Sequence, residues 1–361
     1  MKKGLILGLI VIVGIAFLVI PLLRDTGPEA DSSSPVEFMF QGQLAVVGNQ
    51  DVTIKIKVNS TDVSRLQLIF DDSIIQQWEG PKGELSFSYI FGSHGVGAKG
   101  ISLKATLENG RTRSVGRIVR VLSDIVPEKY IVKIMETLPH SDTSYTQGIE
   151  FYNGNLFEGT GDEGNKGKTV LGIRDLETGA FVKKTGIGRP YFGEGITILN
   201  NSLYQLTWRN GKCFVYDPES LNIKSEFTYN GEGWGLCNDG EFIIMSDGSE
   251  RITFRDPNTF QIQRTIEVYN NTTAIHSLNE LEYIDGKIYA NVYLTDGIVV
   301  IDPKTGKVLK EIDASALSNK VVTRVKAGEV LNGIAYNSES GKIYMTGKNW
   351  PFLFEVSIVK R

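Results

Sequence analysis

Cysteine and histidine are scarce in this chain: two cysteines, Cys213 and Cys237, and three histidines, His94, His140 and His276. No CxxC, HExxH or His/Cys cluster occurs, which argues against a zinc site built on closely spaced ligands. No Ser-His-Asp or Cys-His set points to acyl transfer through a covalent intermediate. A basic excess is also missing. The net charge of −4 gives no reason to expect a nucleic-acid partner. Proline is thin at 11 residues, whereas glycine reaches 39, the balance expected of many tight turns between short strands. At 361 residues the chain is too long for one small core and suggests two units plus extras.

Long apolar runs are limited to one. Lys2 and Lys3 precede an uninterrupted apolar stretch over residues 4–23, long enough to span a bilayer as a helix. The competing reading is a cleaved signal peptide. The run is longer than a usual signal core, lacks a small-x-small cleavage site and has no Cys for a lipid anchor. An uncleaved anchor over residues 1–24 is therefore favoured, with the basic end in the cytoplasm and the rest outside, in an extracytoplasmic or periplasmic space. Residues 25–35, small, polar and Pro-flanked, read as a linker.

Residues 36–125 hold short alternating strands such as 52–58 and 85–90, separated by turns at Asp71-Asp72, Pro81-Lys82-Gly83 and Asn109-Gly110. This pattern suits a small immunoglobulin-like β-sandwich. It carries no catalytic constellation, and a spacer role outweighs a docking role.

Residues 128–361 repeat. Five stretches align on a closing aliphatic residue: Tyr145-Thr146-Gln147-Gly148-Ile149, Phe192-Gly193-Glu194-Gly195-Ile196, Glu232-Gly233-Trp234-Gly235-Leu236, Leu278-Asn279-Glu280-Leu281 and Leu331-Asn332-Gly333-Ile334. Each leads into an apolar strand, a turn and a second strand, and four reach a further turn beginning at Asp175, Asp217, Asp256 or Asp302. The steps between copies are 47, 40, 45 and 53 residues. Four strands at that period indicate a β-propeller. The fifth copy lacks its outer strand, which residues 129–135 can supply, closing the circle without an exposed edge. The expected fold class is all-β: a five-bladed β-propeller preceded by the sandwich and an N-terminal transmembrane helix.

Two columns of the alignment converge on one mouth of such a channel. The first is Gln147, Glu194, Trp234, Asn279 and Asn332; the second is Gly161, Trp208, Asp247, Tyr293 and Lys348. Tyr145 and Phe192 add aromatics. Aromatics at repeated positions also pack blade against blade, and a Gly after a polar residue also makes a bulge. A carboxylate near a channel axis is different, because burying it unpaired is costly, so it is used or paired. Lys348 pairing with Glu194 or Asp247 is the structural alternative. Cys213 and Cys237 are compatible with a disulfide or with two buried thiols.

The segments Tyr145-Thr146-Gln147-Gly148, Phe192-Gly193-Glu194-Gly195, 203–208, Gly233-Trp234-Gly235-Leu236, Ser246-Asp247-Gly248-Ser249, 278–282 and 346–351 resemble those of the plant and bacterial glutaminyl-peptide cyclotransferases (glutaminyl cyclases), over about residues 138–356. The resemblance implies a five-bladed propeller that converts N-terminal Gln of peptides or proteins to pyroglutamate, releases ammonia and uses no metal or other cofactor. It implies Glu194 as catalytic acid/base and Gln147 and Asn279 as polar binding residues. Tyr145, Phe192, Trp208, Trp234, Tyr293 and Lys348 then line the pocket. Tyr145 stands where Phe is usual and Tyr293 where Trp is usual, so substrate fit rather than chemistry is affected. A monomer is expected, touching the membrane only through its N-terminal helix. The alternatives are a non-catalytic propeller binding peptide N-termini in the same cup, and a metal-dependent propeller hydrolase, against which the single carboxylate of the inner column argues.

Overall fold

The computed structural model describes residues 34–361 apart from 163 and 165. The expected anchor lies outside the described residues. Among the described residues no helix is long and apolar enough to cross a membrane. The described chain is all-β save for one short α-helix, Ser315–Val321, and one 3-10 turn, Phe91–His94.

The N-terminal unit has two sheets. One orders Val36–Phe38, Asp51–Val58 and Gly83–Ile90; the other orders Leu44–Val47, Thr112–Leu122, Gly97–Leu107, Val63–Phe70 and Ser73–Glu79. Alternation drives this arrangement: Ile54, Ile56 and Val58 turn inward while Lys55 and Lys57 stay exposed. The inward faces share one core that includes Leu66, Leu68, Phe70 and Phe91. Its last strand runs through residues 123–127 into the second unit. Contacts at this junction include Ala98 N–H to Glu267 Oε2 at 2.8 Å and Lys307 to Asp124 at 2.6 Å.

The second unit consists of four-stranded antiparallel sheets. The first runs Thr146–Tyr152, Asn155–Thr160, Leu171–Arg174, Phe181–Thr185, and the second Gly193–Leu199, Ser202–Thr207, Lys212–Tyr216, Ile223–Thr228. The third runs Leu236–Asn238, Ile243–Ser246, Arg251–Arg255, Ile262–Glu267, and the fourth Leu278–Ile284, Lys287–Val292, Gly297–Ile301, Val308–Asp313. A fifth set, Leu331–Asn337, Lys342–Gly347 and Phe352–Lys360, takes Glu128–Pro139 as its outer strand, in antiparallel register from Phe352–Pro139 to Lys360–Tyr130. Residues Glu128–Ile131 also pair in parallel with Lys310–Asp313, so the fourth and fifth sets share one eight-stranded sheet.

The opening strands neighbour one another in a closed cycle. Carboxylates stitch that cycle together. Glu150 accepts the N–H of Ile198 at 3.0 Å, Glu280 accepts those of Ile149 at 3.4 Å and Ile334 at 2.9 Å, and Glu282 accepts that of Tyr336 at 2.7 Å. All three are buried. Burial pushes the Glu150 carboxyl up to about 7, and those of Glu280 and Glu282 well above the usual carboxylate range.

Cys213 and Cys237 are both free and buried, which closes the disulfide option left open by the sequence.

Candidate active site

The recurrent motif places its polar residues through a backbone irregularity. Pairing slips between Thr146 and Gly148, Gly193 and Ile196, Leu278 and Leu281, and Leu331 and Ile334. Gln147, Glu194, Asn279 and Asn332 sit within those slips. Such a bulge re-aims a side chain out of the ladder, so the bulge reading and the functional reading of the motif describe one feature.

Tyr145, Gln147, Phe192, Glu194, Trp208, Trp234, Asn279, Tyr293 and Lys348 line one cavity of about 250 Å³, with Gly164 at its edge. The remaining column members stand apart from this lining. Asn332 supports it from behind: its Nδ2 donates to Thr146 O at 3.0 Å and to Gln147 Oε1 at 3.3 Å. Asp247 accepts from Ser249 N–H at 3.0 Å and pairs with Arg251 at 3.6 Å.

The walls are aromatic and meet edge-on or tilted. Tyr145 and Phe192 lie 6.2 Å apart, Phe192 and Trp208 5.7 Å, and Trp234 and Tyr293 5.5 Å. Lys348 Nζ lies 4.7 Å from the Tyr145 ring centre and 5.3 Å from that of Tyr293, within cation–π range.

Gln147, Glu194, Asn279 and Lys348 are 2–5% exposed. Gln147 connects the two charged groups: its Oε1 accepts from Lys348 Nζ, and its Nε2 donates to Glu194 Oε1 at 3.1 Å. Among the described residues Lys348 has no carboxylate within ion-pair distance, so the direct pairing considered from sequence is replaced by a relay through the amide. Burial pushes the Glu194 carboxyl well above its usual range; Lys348 opposes this and Glu232 adds to it. Burial also pulls Lys348 down to about 8, against the raising influence of Glu194. Asn279 Oδ1 is buried and has no hydrogen-bond partner among the described residues. Asn279 lines the cavity, and an unsatisfied buried acceptor calls for a donor such as a ligand's N–H.

Sequence reasoning passed over Glu232. Its Oε2 accepts from Trp208 Nε1 at 2.8 Å and Trp234 Nε1 at 3.0 Å, and its Oε1 from Arg209 at 2.8 Å. The available signal was its place in Glu232-Gly233-Trp234, two residues before a cavity wall.

Chemically, the site offers a carboxyl whose raised pKa lets it hold or release a proton, a neighbouring cation, an unsatisfied amide oxygen and flat walls suited to a small amine-bearing group. Residues 112–358 match the family described as Glutamine cyclotransferase. A glutaminyl-peptide cyclotransferase of Arabidopsis thaliana is 36% identical over 231 residues, covering 63% of this chain and 71% of that protein. The crystal structure of Myxococcus xanthus glutaminyl cyclase superposes with a TM-score of 0.62 at 36% identity, covering 65% of this chain and 99% of that one. This chain belongs to the glutamine cyclotransferase family.

Proposed function

We propose that this protein is a glutaminyl-peptide cyclotransferase, an acyltransferase that converts N-terminal Gln of peptides or proteins to pyroglutamate with release of ammonia. The observation that carries the reading is the Glu194 carboxyl, raised in pKa and buried in the lining of an aromatic-walled cavity. The fold is read as a five-bladed β-propeller over residues 128–361, closed by the strand Glu128–Pro139, with the N-terminal unit as an immunoglobulin-like sandwich.

A free α-amine titrates at roughly 7.7–8.0, so part of it is protonated and non-nucleophilic at neutral pH. The aromatic walls hold the Gln side chain folded toward its own amine, converting an encounter into an oriented intramolecular step. The amine nitrogen attacks the side-chain amide carbon and a C–N bond forms. Glu194 takes the proton that the nitrogen sheds. The tetrahedral carbon then breaks its bond to the amide nitrogen, which leaves as ammonia with the proton returned by Glu194, so no net proton is consumed. Lys348 and the Gln147 amide are assigned to the charge that develops on the carbonyl oxygen, and Asn279 Oδ1 to an N–H of the substrate.

Glu194→Gln is expected to fold normally and to lose turnover by about two to four orders of magnitude. The measurement is ammonia release from a Gln-initiated peptide. Turnover close to wild type would remove Glu194 from the mechanism. The N-terminal apolar run supports a membrane-anchored, extracytoplasmic enzyme; retention in the membrane fraction after carbonate extraction tests this, and release would indicate cleavage.

A further inference from the structure

We propose that Glu232 is a positioning residue: one carboxylate that locks both indole walls, Trp208 and Trp234, in the orientation that receives the N-terminal Gln. The proposal rests on the cyclotransferase reading above.

The cavity wall is nearly a continuous ring of contacts. It runs from Tyr145 to Phe192 to Trp208, and from Trp234 to Tyr293, with Lys348 joining Tyr293 back to Tyr145. Among the described residues no ring contact joins Trp208 to Trp234. Glu232 fills that gap, its Oε2 accepting both indole N–H groups at 2.8 and 3.0 Å. From outside, Arg209 braces the same link. Its guanidinium pairs with Glu232 Oε1 at 2.8 Å and stacks 3.8 Å above the Trp208 ring.

The third sheet needs such a brace more than the others. Gln147, Glu194, Asn279 and Asn332 lie inside opening strands of seven residues, where ladder pairs flank each of them on both sides. The third opening strand is only Leu236–Asn238, and Trp234 precedes it. Its backbone is tied by Trp234 N–H to Ser246 O at 3.1 Å and by Gly195 N–H to Trp234 O at 2.8 Å, and on the indole the contact with Tyr293 is joined by the hydrogen bond of its own N–H. An indole has that single donor, and a charged acceptor makes the stronger hydrogen bond. Partial burial raises the Glu232 carboxyl, but the Trp234, Arg209 and Trp208 donors outweigh it and hold Glu232 below the usual range, so it remains an anion at working pH.

The charge also reaches the proton carrier. The groups acting on Glu194 are Lys348, which lowers it, and Glu232, which raises it; Gln147 faces it as a neutral amide, and Tyr229 and Tyr293 lie within its electrostatic reach. Removing the Glu232 charge therefore makes Glu194 easier to ionise.

The test compares Glu232→Ala with Glu232→Gln in steady-state ammonia release across pH, with tryptophan emission recorded without and with a Gln-initiated peptide. Glu232→Ala is expected to raise KM roughly tenfold, with a smaller change in kcat, because the walls lose their common acceptor. Its peptide-free tryptophan emission should shift. Glu232→Gln keeps an acceptor oxygen and is expected to rescue most of KM, while the acidic limb of kcat/KM moves to lower pH as Glu194 ionises more readily. An unchanged KM and emission in Glu232→Ala would overturn the proposal. So would equal losses in both variants with an unmoved acidic limb, since that would place Glu232 on the substrate itself. A wild-type protein that releases no ammonia would sink the cyclotransferase reading, while the emission titration would still report whether Glu232 holds the walls.

Discussion

Gly161 shows how far the cavity wall depends on a missing side chain. A Cβ at this position would lie 2.3 Å from Phe192 Cζ and 3.2 Å from Gln147 Nε2. Gly161→Ala must therefore push the Phe192 ring into the cavity or out of contact. It is expected to lower kcat/KM roughly ten- to a hundredfold, mainly through KM. Gly100→Ala, which meets nothing within 4 Å, serves as the unaffected control. Matching kinetics for the two variants would mean that Phe192 shifts freely. At this scale much of the site was legible in the sequence, because a bulge repeated at a fixed offset from an aliphatic residue leaves a polar column that can be aligned without coordinates. Glu194 is conspicuous in that column as a carboxylate. Glu232 was legible only as a neighbour of Trp234, because its work depends on two indoles brought together from different sheets. Glu280 and Glu282 adjoin the Asn279 motif, yet their partners are backbone N–H groups of the first and fifth sets, far along the chain, which no local pattern reveals.

At the scale of elements, the strand Glu128–Pro139 has the least replaceable backbone. The need for a closing strand could be read from the fifth repeat, which ends without an outer strand of its own. Its second pairing could not, because parallel contact with Lys310–Asp313 depends on how far the fourth and fifth sets approach each other. Ile131 stands opposite Val359 on one side and Asp313 on the other. Whichever neighbour its N–H serves, proline there removes a ladder bond in a strand flanked on both edges. Ile131→Pro is expected to cost about 3 kcal/mol or more and to expose unpaired edges that promote aggregation. Urea unfolding followed by circular dichroism checks this. An unchanged midpoint would show that the two sets hold together without the strand. The third opening strand is the opposite case: its alignment on Leu236 was legible, but its shortness was not, since Gly233 and Gly235 suit a bulge as well as a ladder.

For the whole molecule, buried carboxyls of opposite behaviour set the pH of greatest stability. Glu158 is buried against His140 at 3.0 Å and Arg174 at 2.5 Å. Burial alone would raise it, but these two partners prevail and hold it down at about 2. A depressed carboxyl contributes stability that is present above its unfolded value of 4.5 and is lost as pH falls toward 2. Glu150 has the opposite sign. Its folded value of about 7 lies above 4.5, so between those limits the folded state holds a proton that the unfolded chain has released, and stability falls as pH rises. Glu194, Glu280 and Glu282 are shifted in the same direction. At 1.36 kcal/mol per pKa unit, Glu150 and Glu158 each account for about 3 kcal/mol, on opposite sides of the profile. The urea midpoint is therefore expected to peak at about pH 4–4.5 and to decline toward both neutral and strongly acidic solution. Glu150→Gln should leave the midpoint at pH 4 nearly unchanged and raise stability at pH 8 by roughly 1–3 kcal/mol, because a neutral amide carries no cost of ionisation in the closed cycle of opening strands. Glu158→Gln should destabilise the protein at neutral pH by about 3–5 kcal/mol, since it leaves Arg174 as a buried cation without its carboxylate. A wild-type midpoint that is highest at pH 7–8, or a Glu150→Gln variant no more stable than wild type there, would show that the axial carboxyls ionise without cost to the fold.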